Sequence, residues 1–111
     1  MRGIFARGLA GLMFLGIAVP AVADCFDGVG CTDSARYRVG DLMRFDCESL
    51  YRMRNGIYAQ HGYCFHTQRG IATFGNSGCV SGNPNALGLS RIEQGNATTI
   101  LQAEHAMGCP E

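Results

Sequence analysis

Six cysteines crowd into the last four fifths of this chain, at positions 25, 31, 47, 64, 79 and 109, and they limit its possible folds more than any other feature. All of them follow a leader-like opening segment. An even set in a short exported chain reads as a disulfide framework. Fifteen pairings are formally open. Spacing nominates three of them: Cys25 with Cys31 as a local clip, Cys64 with Cys79 around a short loop, and Cys47 with Cys109 joining the outer ends of the two longest helical segments. In the chain-entropy picture the second contributes ~3 kcal/mol and the third ~4 kcal/mol, each a large share of a small domain's stability. A thiolate metal site does not fit this pattern. There is no Cys-x-x-Cys pair, the spacings match no zinc motif, and the compartment is oxidising. No metal or other cofactor is expected.

The opening segment supplies the address. Met1 to Arg7 is short and basic, Gly8 to Val19 is uncharged and apolar, and Pro20-Ala21-Val22-Ala23 places small residues at the minus-three and minus-one positions. Residues 1–23 therefore read as a cleaved secretory signal. The apolar run is too short for the ~20 residues a membrane-crossing helix needs, so no stable span is expected after cleavage. Asp24, immediately before Cys25, also argues against a lipid-anchored cysteine. Removing 23 of 111 residues leaves 88, enough for one small domain that is periplasmic or secreted. Arg2 and Arg7 leave with the leader, so seven arginines face nine carboxylates, a formal charge of −2 with no lysine. Such a chain lacks the basic stripe of a nucleic-acid binder.

The fold class expected is mainly α, a small disulfide-stapled domain with two principal helices, at about 46–61 and 91–107, a short middle helix and irregular loops. Residues 24–45 read as an irregular N-terminal arm, its part from Asp24 to Gly40 rich in Gly, Asp and Ser and expected on the surface, with residues 46–111 forming the helical domain. Asp46 suits an N-cap, Cys47 to His61 carries helical apolar spacing, and Gly62 stands where a left-handed C-cap belongs. Ser90-Arg91-Ile92-Glu93 has the capping-box pattern, and Ile92, Asn96, Ile100, Ala103 and Met107 share one side of the helix that follows. Thr67 to Phe74 is a short helix ahead of a Gly-rich turn. No strand alternation stands out. The triplet Asn96-Ala97-Thr98 fits a glycosylation acceptor, but its place within a helix marks it as coincidence.

At 100 degrees per residue, Cys47, Leu50, Tyr51, Ile57 and Tyr58 fall on one side of the first long helix, and Arg54 and His61 fall in the same stripe. A guanidinium on a buried face must be paired, because an uncompensated buried charge costs several kcal/mol. Glu93 or Glu104 on the second helix can pair with it, and Asn96 lies between them on the same face. Two readings follow. Arg54, Asn55, Glu93, Asn96 and Glu104 form a buried polar clamp that holds the helices in register. Alternatively, the clamp lines a shallow groove where Tyr51, Arg54, Asn55, Tyr58, His61 and Tyr63 meet a sugar or peptide ligand, as aromatic faces with planar hydrogen-bonding groups do.

Catalytic arrangements are sparse. His61 and His66 bracket Cys64, but the even cysteine count places that sulfur in a disulfide, and a helix-end histidine such as His61 commonly bonds a backbone carbonyl. A small hydrolase would use His61 with Glu93 or Glu104 as an acid/base pair. No nucleophile elbow, metalloprotease helix or phosphate loop accompanies them. His105 falls on the outer, solvated side of its helix.

These residues resemble the YARHG domain, an extracellular bacterial module. Leu50 and Tyr51, Arg54-Asn55, the run Ile57-Tyr58-Ala59-Gln60-His61-Gly62-Tyr63 and Phe65 match its central motif, with Gln60 in place of the naming arginine. Glu93, Asn96, Ile100 and Glu104 match its closing Glu, Asn, Ile and Glu. The resemblance covers roughly Asp46 to Cys109. It implies an envelope-facing location and a small helical fold, and carries no catalytic residue to transfer. The expectation is a non-catalytic exported domain that binds a cell-envelope glycan or protein or acts as a structural accessory, with the hydrolase as the competing class.

Overall fold

A computed structural model describes residues 23–111. The expected signal segment therefore lies outside the described residues, apart from Ala23. The arm opens with a minimal hairpin, β1 (Cys25–Phe26) and β2 (Gly30–Cys31), antiparallel and closed by the Cys25–Cys31 disulfide. A one-turn helix follows, α1 (Val39–Leu42). The long helix α2 (Cys47–Gln60) then leads through Tyr63 and Phe65 to the short α3 (Gln68–Phe74). A 3-10 turn at Pro84–Ala86 precedes the second long helix, α4 (Arg91–Ala106). Among the described residues no helix is long and apolar enough to cross a membrane.

Local chemistry sets each boundary. The Asp46 carboxylate accepts the Ser49 amide at 2.7 Å and starts α2, while the Thr67 hydroxyl accepts the Gly70 amide at 3.0 Å and starts α3. At α4 the capping box is complete: Ser90 Oγ accepts the Glu93 amide at 3.1 Å, and Glu93 Oε1 accepts the Ser90 amide at 2.9 Å. Gly62 ends α2 with φ +86°, and a Cβ there would sit 2.6 Å from Val80 Cγ2. Glycine is required twice over, by the left-handed backbone and by the close approach of the 79–82 segment. That segment pairs with the one after α2 in a short parallel bridge, Tyr63 to Ser81, backed by the Cys64–Cys79 disulfide.

The core forms where α2 and α4 pack side by side. Leu50, Met53 and Ile57 from α2 meet Ala97, Ile100 and Ala103 from α4. The helices run antiparallel, since Cys47 at the start of α2 is bonded to Cys109 beyond the end of α4. All three disulfides have the pairing that the spacing favoured. Cys64 is thus bonded to Cys79 and not poised as a thiolate between two histidines.

The arm departs from expectation. It is not a surface strip, because Tyr37 and Leu42 are buried members of the main core. Asn96 explains how a Gly- and Asp-rich segment is held there. Its Oδ1 accepts the Tyr37 amide at 2.9 Å, and its Nδ2 donates to the Thr32 and Ala35 carbonyls at 2.9 and 2.7 Å. One side-chain amide satisfies three backbone groups of a segment that lacks a ladder of its own. Asn96 therefore does not belong to the clamp between α2 and α4. At 3% exposure it is also inaccessible for glycosylation in the folded protein.

Candidate functional site

Two polar ties join α2 to α4, and they divide the two glutamates between them. Arg54 donates from Nε to Glu104 Oε1 and from Nη2 to Oε2, the latter at 3.1 Å, a two-pronged pairing that matches the guanidinium's fork to the carboxylate. Glu104 is 3% exposed, whereas the Arg54 side chain keeps 20% of its surface open. Burial of the carboxylate is tolerable because both of its oxygens are bonded. His61 takes Glu93 instead, with Nε2 at 2.9 Å from Oε2. The expectation of a carbonyl partner for His61 is corrected here: at the end of α2 the neighbouring side chain is a carboxylate anchored by α4's own cap.

Glu93 consequently has both oxygens engaged, one by the Ser90 amide and one by His61. Burial pushes its carboxyl upward, but the Ser90 amide and His61 together outweigh that effect and hold it below the usual carboxylate range. Cys47, Arg54 and His61 stand seven residues apart along α2, so the disulfide, the Arg54 ion pair and the His61 bond lie along one seam. Asn55 turns away from that seam and donates to the Tyr51 carbonyl of its own helix at 3.0 Å. The five-residue clamp expected from the sequence is therefore three arrangements: Arg54 with Glu104, His61 with Glu93, and Asn96 with the arm.

Beside the seam, a groove of about 500 Å³ opens between α2, the end of α4 and the segment from Tyr63 to Arg69. Tyr51, Arg54, Asn55 and Tyr63 line it, as the binding reading required. Tyr58 does not. It faces the far side of Arg54 and Asn55, toward Pro84, with its ring 5.9 Å from that of Tyr63. His61 is also separate, opening with Gln60, Asp33 and Glu93 on a different recess. Register explains the split, since Tyr58, three and four positions beyond Asn55 and Arg54, and His61, six and seven beyond them, pass the end of the groove.

Seven contributors went unrecognised as groove residues in the sequence, among them Phe65, His66, Arg69 and Leu101. Phe65 was counted only as a motif match. It is clamped by Asn76, whose Oδ1 accepts the Phe65 amide at 2.7 Å and whose Nδ2 donates to its carbonyl at 3.0 Å. Its ring stacks on Phe74 and meets Tyr63 edge-on. Arg69 lies flat over Tyr51, 3.6 Å from the ring centroid, and donates to Glu48 at 2.7 Å. That bond, with a second from Arg52, holds the Glu48 carboxyl below its usual range. A cation in the first turn of a seven-residue helix gave no sign of this stacking. His105 is exposed as expected, yet it forms part of the groove's rim.

Three disulfides suit an extracellular or periplasmic setting. No curated protein and no solved structure matches the chain. The YARHG domain model matches residues 31–105, which takes in the Asn96-held part of the arm, both side-chain ties of the α2–α4 seam and all of the groove except Glu111. With 75 of its 111 residues covered, the chain belongs to the YARHG domain family.

Proposed function

We propose that this is a non-catalytic exported bacterial domain that binds a cell-envelope component in the groove beside the α2–α4 seam. One observation carries the reading: four of the six residues expected to bind, Tyr51, Arg54, Asn55 and Tyr63, line one open groove of ligand size. Arg54 is fixed there by Glu104 from behind, which gives the groove a rigid donor at little cost on binding.

The competing hydrolase reading draws on a specific contact, the 2.9 Å approach of His61 to Glu93. The surroundings of that pair favour a structural tie. A general acid or base must exchange its proton with substrate, and Glu93 is 6% exposed with both oxygens committed to bonds. The hydroxyl nearest the pair, that of Ser90, is committed to the cap of α4, where it accepts the Glu93 amide, and Cys64 is in its disulfide.

Amide shift mapping of the disulfide-intact protein against solubilised envelope fractions tests the proposal. Movement of the Tyr51, Asn55, Tyr63 and Leu101 signals, with the fraction recovered chemically unchanged, is the expected result. Release of cleavage products, lost on His61→Asn, would overturn it.

A further inference from the structure

We infer that the groove's ligand is a carboxylate-bearing peptide segment with apolar side chains, and not a neutral glycan. The inference rests on the binding reading just given and assigns the chemistry of its partner.

Charge is distributed very unevenly along this chain. From Ser49 to Ile92, 44 consecutive positions, there is no aspartate or glutamate, although Arg52, Arg54, Arg69 and Arg91 fall there with His61 and His66. That stretch builds two of the groove's walls. Its polar side chains on the groove include the donors Arg54, Arg69 and His66, joined from α4 by His105. The carboxylate closest to Arg54 is consumed, because Glu104 gives both oxygens to that guanidinium. Nη1 of Arg54 makes no hydrogen bond among the described residues. The opposing charges are Glu48, just outside the groove, which accepts from Nη2 of Arg69 at 2.7 Å, and Glu111 on the rim, whose side chain is almost wholly exposed at the chain's end.

Neutral sugars ask for something different. Hydroxyl groups donate as well as accept, so sugar sites set carboxylates and amide oxygens among their donors, and they offer a bare aromatic face to the pyranose ring. Apart from Glu111 at the chain's end, this groove's side-chain acceptors are neutral, chiefly Asn55, Thr67 and the tyrosine hydroxyls. The Tyr51 ring is already covered by Arg69 at 3.6 Å, and the Phe65 ring is stacked on Phe74. What stays open is an apolar floor of Tyr63 and Leu101, backed by the buried Phe65, beneath the two guanidinium groups. Such a surface complements apolar side chains alternating with carboxylates, with the charge adding specificity and association rate.

The test uses the mature, disulfide-intact protein and three probes at millimolar concentration: an acetylated peptide of alternating leucine and glutamate, its leucine and glutamine counterpart, and a neutral N-acetylglucosamine oligomer. The acidic peptide should move the amide signals of Tyr51, Asn55, His66 and Leu101, with the glutamine counterpart weaker by about tenfold. Arg69→Gln should weaken the acidic peptide by about fivefold, added salt should weaken it further, and Arg38→Gln, on the arm, should change nothing. Equal or tighter binding of the glutamine peptide or the sugar at the same amides overturns the inference and leaves the groove reading intact. If the acidic peptide fails to move those signals while the envelope fraction moves them, the inference also falls alone. If neither moves them, both readings fall together.

Discussion

Asn96 offers the sharpest test of how this fold is held. Replacing it with leucine, which has the same branching at Cγ, strands the buried Tyr37 amide and removes one bond from each of the Thr32 and Ala35 carbonyls. A buried donor left without a partner costs about 1–3 kcal/mol, and a carbonyl, with two lone pairs, about 1. The sum is about 3–5 kcal/mol. Added apolar burial returns up to about 1–2, so the net loss is about 3 kcal/mol. For a domain of this size that is a large part of the total. Urea unfolding of the disulfide-intact protein, with an m value of about 1 kcal/mol per molar, should show a midpoint lower by about 2–3 M. The loss should also be localised, with exchange of the Tyr37 amide accelerated more than that of Ile57 in the centre of α2. Asn96→Asp provides a second check. It keeps the acceptor for Tyr37 but sets a carboxylate against two carbonyls, so its carboxyl is pushed upward and its stability deficit should shrink as the pH falls. A loss below about 1 kcal/mol for Asn96→Leu, or unchanged exchange at Tyr37, would refute the view that one side chain pins the arm.

Other perturbations separate the remaining ties. Arg54→Met leaves the Glu104 carboxylate buried without its partner and should cost about 3 kcal/mol, while Arg54→Met combined with Glu104→Leu should recover most of it; paired urea melts decide this. The Glu93 carboxyl is held below its usual value of 4.5, so the folded state binds fewer protons than the unfolded one just below that pH. Its contribution is fully present above pH 4.5 and is lost as the pH falls through the depressed folded value; thermal melts from pH 6 downward should fall less steeply for Glu93→Gln. Burial, with Asp24 and Asp33 adding to it, pushes the Tyr37 phenol from 10.0 up to about 12. Alkaline titration of tyrosinate absorbance should then show one late-titrating ring. Because the folded state keeps that proton longer, stability should decline as the pH rises between those two values, and Tyr37→Phe should remove this part of the decline.

How far the sequence discloses this fold depends on the kind of residue involved. The disulfides were legible because few sensible loops join six cysteines in so short a chain. Both long helices were legible from caps and periodicity, and the need to pair Arg54 followed from its place in an apolar stripe. The choice between Glu93 and Glu104 was not legible. They stand eleven positions apart on the same flank of α4, and only the antiparallel register, fixed by Cys47–Cys109, gives Glu104 to Arg54 and Glu93 to His61. Asn96 was assigned to the wrong neighbour because a side-chain amide suits any backbone that approaches it. Burial of Tyr37 and Leu42 was hidden in a Gly- and Asp-rich segment whose apolar residues follow neither a helical nor a strand period. The groove was half legible: its α2 wall came from the motif, whereas Phe65, Arg69 and Leu101 reach it through loop and helix ends that no periodicity announces.

The seam between α2 and α4 carries three fasteners of different chemistry at intervals of two helical turns: a covalent bond at Cys47, an ion pair at Arg54 and a histidine–carboxylate bond at His61. Each yields to a different solvent. Reductant unlatches the pair at the Cys47 end, whereas acid, by protonating Glu93, unlatches it at the His61 end. Since the helices are antiparallel, the two treatments peel them apart in opposite directions. Opening Cys47–Cys109 releases the tail after α4 beside His105, whereas losing the His61–Glu93 bond leaves the Gly62 turn still held by Cys64–Cys79. The two ends of the seam thus answer to different conditions, one to thiols and the other to protonation.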